Sequence, residues 1–171
     1  MHRTSHAGFT LIELMLAVAL GIILMTMAVP SFTSIVLNNR LATKTNELIA
    51  DLHFARTEAI KQGRTATVCR STNGTSCAGS GQDWATGWLV WVDSDGNGTM
   101  ASTEIVRVHE AVGAVTLTGS TFQMQYAASG FNNAASTVTF TLNATGCTGN
   151  QARTVTIIPS GRSSVATSAC A

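Results

Sequence analysis

Charge is scarce in this chain. Asp, Glu, Lys and Arg make up 11% of 171 residues, and 10 basic against 9 acidic side chains give a formal net charge of +1. A global basic excess that would draw the protein to nucleic acid is therefore missing, which leaves only a local patch as a route to such a partner. Proline is nearly absent: Pro30 and Pro159 are the two interruptions that the backbone must accommodate. There is no Gly-x-Ser-x-Gly, no His-Glu-x-x-His, no phosphate loop and no close carboxylate pair outside one turn, so the common entry points to enzyme chemistry are missing. The four cysteines contain no Cys-x-x-Cys pair, and beyond residue 8 the only histidines are His53 and His109, which disfavours a zinc site.

What the chain does have is one long apolar run. From Phe9 to Val29 a single formal charge occurs, Glu13, close to the start. A helix over these residues measures about 31 Å, the thickness of a bilayer's hydrocarbon core. A carboxylate in a membrane helix costs on the order of 3 kcal/mol, so Glu13 must serve a purpose. A secretory signal peptide also has a basic start, here Arg3, but its apolar core is shorter and carries no such acid.

Gly8-Phe9-Thr10-Leu11-Ile12-Glu13 resembles the leader and helix start of type IV pilins and type II secretion pseudopilins. The resemblance implies a prepilin leader over residues 1–8, cut by a prepilin peptidase between Gly8 and Phe9, with Phe9 N-methylated as the new N-terminus. It also implies that Glu13 is the filament-assembly residue, paired in the membrane with the methylated amine of a neighbouring subunit. Loss of the leader removes Arg3, and the remaining side chains sum to 9 minus 9, or zero.

Residues 9–30 form the transmembrane and assembly half of a long helix. Pro30 removes a backbone donor and is expected to kink it. Residues 31–63 form an amphipathic half: Leu41, Leu48, Leu52, Ala55 and Ala59 recur three or four apart and make an apolar stripe. Asp51 and other polar residues fill the remaining faces, Arg56 and Glu58 are assigned to solvent, and Gly63 stands where a C-terminal cap belongs. From Thr65 the period changes to two, with strands expected at 65–69, 87–92, 103–108, 114–118, 121–127, 137–142 and 153–158. The fold class is α+β: a long N-terminal helix packed on an antiparallel β-sheet domain, residues 64–171. Trp84, Trp88 and Trp91 are assigned to packing and not to a ligand cage, and His53 and His109 to structural roles.

Downstream features narrow the resemblance. Arg56-Thr57-Glu58-Ala59, the strand Gly87-Trp88-Leu89-Val90-Trp91-Val92-Asp93, its Asp-x-Asp-x-Asn-Gly turn and Ser160-Gly161-Arg162 are similar to the GspH/FimT branch of pseudopilins and FimU-like minor pilins. A chain exported by such a leader is expected to oxidise Cys69, Cys77, Cys147 and Cys170 to two disulfides. Three connectivities exist, and Cys69–Cys77 with Cys147–Cys170 is the expected one. Loops of about 9 and 24 residues would contribute roughly 2.5 and 3.5 kcal/mol.

Asp93, Asp95, Asn97, Thr99 and Glu104 occupy ligand positions of a calcium-loop template, with Gly98 at its sixth place. The same residues supply the Asx bonds and positive φ of an ordinary turn, which is the favoured reading. No cofactor is expected beyond that possible structural calcium. Some FimT-like minor pilins bind DNA through a Gly-Arg-x-Arg tail. Here Gly161-Arg162 matches and Ser164 replaces the second arginine, which removes a phosphate contact. Arg153 and Arg162 would form only a weak patch, so nucleic acid is a possible partner and not the favoured one.

The resemblance therefore implies a non-enzymatic minor pilin or pseudopilin, placed at or near the tip of a type IV pilus or secretion pseudopilus. Its partners would be other pilins, the prepilin peptidase and the inner-membrane assembly platform. It would span the inner membrane once, with a periplasmic domain, before entering a periplasmic or extracellular filament.

Overall fold

Thr10 opens the helix to which the later elements attach. Its Oγ1 accepts the Glu13 amide N–H at 3.3 Å and its carbonyl accepts the Leu14 N–H at 3.2 Å, an N-cap that satisfies donors every helix start leaves open. The computed structural model describes residues 8–134 and 136–171, with the side chains of residues 27–31 outside the description. Helix α1 is Leu11–Gln62, 52 residues. The kink expected at Pro30 concerns one of those five residues and so lies outside the described ones. At the far end Gly63 has φ 65°. Its N–H bonds the Ile60 carbonyl and the Arg64 N–H bonds that of Ala59, the paired closure that favours glycine at this position.

The chain divides into two compact units between Val36 and Leu37. In the first, the large apolar residues from Phe9 to Met25 are all more than half exposed, so this length of helix has no protein cover of its own. Among the described residues no helix is long and apolar enough to cross a membrane. The helical stretch ahead of residue 27 begins at Leu11 and reaches about 24 Å, short of the ~30 Å core.

In the second unit, Leu41, Leu48, Leu52, Ala55 and Ala59 are fully buried, as their spacing predicts. Thr45 completes the stripe between Leu41 and Leu48. It is 2% exposed, and its hydroxyl donates to the Leu41 carbonyl at 2.7 Å, which is how a polar residue occupies an apolar row.

Among the described residues eight strands follow, one more than the sequence pattern suggests. β1 (Ala66–Arg70), β2 (Trp88–Val92), β3 (Ile105–His109) and β5 (Gln123–Tyr126) form an antiparallel sheet in the order β3-β2-β1-β5. β4 (Thr116–Gly119), β6 (Val138–Asn143), β7 (Ala152–Ile157) and β8 (Ser163–Ser168) form a second, in the order β4-β6-β7-β8. Residues of both sheets share one core with the helix stripe. The unexpected strand is β8: Ser-Ser-Val-Ala-Thr-Ser contains one large apolar side chain, too little to show a period of two.

β2 is buried at every residue because both of its faces are covered. Trp88, Val90 and Val92 join the main core. Leu89 and Trp91 lie on the other face with Cys69, under Cys77, Met100 and Ile105. The register between β2 and β3 shifts after Val90: Arg107 opposes Val90, Ile105 opposes Trp91, and Val106 is the extra residue. Such a bulge changes which face a strand's side chains meet. It lets Ile105 serve the outer cluster while Arg107 and His109 reach the helix.

Two polar residues off the stripe turn inward, one of them against expectation. Asp51 is 5% exposed, and it accepts the Trp88 indole N–H at 2.9 Å and an Arg107 N–H at 2.8 Å. Arg56 is half-buried, with Nη2 donating to the Ser160 carbonyl at 3.1 Å. Gly130 (φ 79°) and Gly161 (φ 76°) flank its guanidinium, and a Cβ at either would lie 3.2 Å from Nε. Spacing alone could not show this, because the turn that covers Arg56 lies a hundred residues away in the chain.

Candidate functional site

Three groups of residues carry the functional reading, and the fold presents each differently. The Gly8–Phe9 peptide bond precedes the first helical turn. Both residues are exposed, Phe9 by 86%, and nothing approaches within 4 Å of where a Gly8 Cβ would lie. The rest of the expected leader, residues 1–7, falls outside the described residues. Glu13 stands in the first turn of α1, where a carboxylate faces the positive end of the helix dipole.

The turn between β2 and β3 gathers its acids closely: ligand oxygens of Asp93, Asp95 and Glu104 lie within 4.8 Å of one another. Loop donors already engage them. Asp93 accepts the Gly96 N–H at 2.9 Å and the Gly98 N–H at 3.0 Å. Asp95 accepts the Asn97 N–H at 3.0 Å, and Asn97 in turn accepts the Thr99 N–H at 2.6 Å. Glu104, 5% exposed, ties both ends of the turn: Oε1 accepts the Ser94 N–H and hydroxyl, and Oε2 accepts the Ala101 N–H. The Ala101 bond, opposed by burial and assisted by those from Ser94, holds the Glu104 carboxyl below the usual carboxylate range. The Arg64 guanidinium adds positive charge beside Gly96, with Nη1 3.1 Å from where a Cβ there would lie. The bonds of Asp93, Asp95 and Asn97 are the side-chain-to-backbone bonds that Asp and Asn make in an ordinary turn.

The two arginines of the possible nucleic-acid patch are not brought together. Arg162 is exposed on the turn before β8. Arg153 opposes Thr167, about 17 Å farther along at 3.3 Å per residue, and its Nη1 donates to the Gln151 carbonyl at 2.8 Å. Ser164, at the place of the family's second arginine, is itself part of β8.

The cysteines pair as expected. Cys69 bonds Cys77 and Cys147 bonds Cys170, with Cα separations of 5.5 Å and 5.7 Å. The second bond pins the segment after β8 to the loop between β6 and β7. The histidines are engaged structurally: His109 stacks on Trp88 at 3.9 Å between ring centroids and bonds Glu47 at 3.1 Å, and His53 bonds Ser163 at 2.7 Å. The contact that sequence reasoning missed entirely is the exposed outer edge of β8, for which the apolar pattern holds no signal.

Residues 44–161 match the family described as "Type II transport protein GspH", and residues 3–29 match the "Prokaryotic N-terminal methylation motif". Two crystal structures of the type IV minor pilin FimU of Pseudomonas aeruginosa (strain PAO1) are similar in fold. One superposes with a TM-score of 0.60 at 23% identity, covering 75% of this chain and 89% of FimU. The other gives 0.56 at 23% identity, covering 74% and 92%. No curated protein matches the chain.

Proposed function

The chain belongs to the GspH family of type II transport proteins, and from that premise we propose that it is a minor pilin or pseudopilin near the tip of a filament. Its role as a pilin-like subunit that assembles with other pilins follows from the family and the methylation motif. The observation that carries the rest is the apolar stretch from Phe9 to Met25, whose large side chains are all more than half exposed and whose one charge is Glu13. Lipid before assembly, and neighbouring helices after it, are the environments that cover such a surface. In this reading the chain crosses the inner membrane once, an assembly platform extracts it, and the second unit stays on the periplasmic side. No catalysis is assigned to it.

Processing gives the direct test. The mature protein is expected to begin at Phe9 and to carry one added methyl group by intact-mass measurement, and Gly8→Val is expected to leave the uncut precursor in the membrane. A wild-type chain that keeps its first eight residues would overturn the reading.

The Asp93–Glu104 turn is read as self-supporting, because Asp93, Asp95 and Glu104 already accept loop hydrogen bonds. Millimolar Ca²⁺ is expected to leave the melting temperature of the full chain in detergent equal to that in EDTA. A rise of several degrees would assign the turn to calcium instead. The DNA-receptor reading is not adopted, since Arg153 and Arg162 lie at opposite ends of the β7–β8 hairpin.

A further inference from the structure

The two sheets have four outer edges, and among the described residues two are covered and a third is irregular. The β5 edge is covered by residues 132–133, through the Tyr126–Asn132 bridge and the Asn133 N–H on the Gln125 carbonyl. The β4 edge is covered by residues 82–83, through the Asp83–Thr118 bridge and the Gly119 N–H on the Gln82 carbonyl. β3 is exposed but carries the bulge at Val106, a device that discourages strand addition. β8 has none of these protections. It pairs with β7 alone, runs six residues without charge, proline or register shift, and is exposed over its middle.

The hairpin sets which backbone groups are free. The Ile158 N–H bonds the Arg162 carbonyl and the Gly161 N–H bonds that of Ile158, a three-residue connection with glycine in the left-handed region. From that pair the alternation of an antiparallel ladder aims Ser164, Ala166 and Ser168 at β7, and the N–H and C=O groups of Ser163, Val165 and Thr167 outward. The side chains of Ser163 and Val165 lie on the face of their cross-strand partners Ile157 and Val155, which belong to the main core, and that of Thr167 lies opposite Arg153. Val165 nevertheless stays 47% exposed: the core face continues to the edge and stops there uncovered.

We propose that β8 receives an extended segment of a different filament subunit as an added strand, lengthening the second sheet by one. The added strand would bond Ser163, Val165 and Thr167 and cover Val165, with a small or β-branched side chain opposite it. β8 itself is uncharged, and the exposed Arg162 at its start makes no ion pair among the described residues. This favours a neutral segment with a carboxylate at that end. A second copy of this chain fits poorly. His53 meets Ser163 and Arg56 meets Ser160, so β8 runs opposite to the helix beside it. Two antiparallel β8 strands would point those helices in opposite directions, at odds with subunits that enter one filament by the same end. The proposal rests on the filament reading given above.

Val165→Pro tests it in the full chain, expressed with its companion subunits. Proline at an outward edge position removes no bond of the hairpin, so processing and melting temperature are expected to stay near wild type. Incorporation into sheared filaments is expected to fall about tenfold or more. Ser164→Pro, which removes an N–H aimed at β7, should instead destabilise the domain. As a check independent of folding, a photo-crosslinking residue at Thr167 should link to an extended segment of another subunit. Normal incorporation of Val165→Pro while Glu13→Leu is excluded overturns the strand-addition proposal alone. Normal incorporation of both overturns the filament reading as well. Crosslinks at Thr167 that are absent, or only to a second copy, also overturn the proposal.

Discussion

Glu13→Leu is expected to be cut and methylated like the wild type, yet to enter filaments about a hundredfold less often, the loss of roughly 2.7 kcal/mol. Leucine improves the helix as a membrane segment: an acid there costs on the order of 3 kcal/mol, and leucine is favourable by about half a kcal/mol. A defect in incorporation would therefore arise from a lost partner and not from poor insertion. The partner in this reading is the N-terminal amine of an adjacent subunit, whose buried positive charge is left uncompensated without Glu13. Glu13→Gln separates this from a capping role. Glu13 stands three residues after the N-cap Thr10, where glutamine serves equally well, so Gln should preserve the helix start and still fail to assemble. Quantitative immunoblots of sheared filaments against whole cells measure both variants, and incorporation at wild-type level by either would reject the ion-pair role.

The largest stability effect is expected at Asp51. Asp51→Ala should lower the unfolding free energy of the second unit by about 3 kcal/mol, or about 10 °C in melting temperature. Its carboxylate is buried and takes the Trp88 indole N–H, which has no route to water once the acceptor is gone, since Trp88 is 0% exposed. Arg107 contributes less. Its side chain is 41% exposed and stays over the Phe54 ring, 3.8 Å from the centroid, so it can turn to solvent. Asp51→Asn keeps an acceptor for Trp88 and should lose only about 1 kcal/mol. Thermal melts of the two variants in detergent give the ordering, and equal losses would place the energy in the Arg107 ion pair instead.

Much of the N-terminal helix was legible because its signals are local. The hexapeptide at 8–13, the apolar run behind it and the three-and-four spacing from Leu41 to Ala59 each depend on neighbours within a turn or two of helix. The α+β class followed from the change of period at Thr65, and the cap at Gly63 from its position after the last periodic residue. The local disulfide pairing also held, with both pairs bridging short separations of 8 and 23 residues.

The remainder depends on which distant segments lie side by side. Asp51 and Arg56 look like ordinary surface residues of an amphipathic helix until Trp88 and the 159–161 turn are placed beside them. Which face of β2 meets the helix stripe, that of Trp88 or that of Leu89 and Trp91, is decided only by packing across the sheets, and the shift at Val106 is invisible in a run of alternating residues. Arg153 and Arg162 are nine positions apart in the chain, yet the hairpin sets them at opposite ends. The sequence alone determined that the chain carries an N-terminal methylation motif and a long helix with a buried stripe, because helical periodicity and a short motif are properties of contiguous residues. Only the tertiary structure decided which polar groups are buried and which sheet edge stays open, because hydrogen-bond satisfaction and edge exposure are set by strands paired across tens of residues.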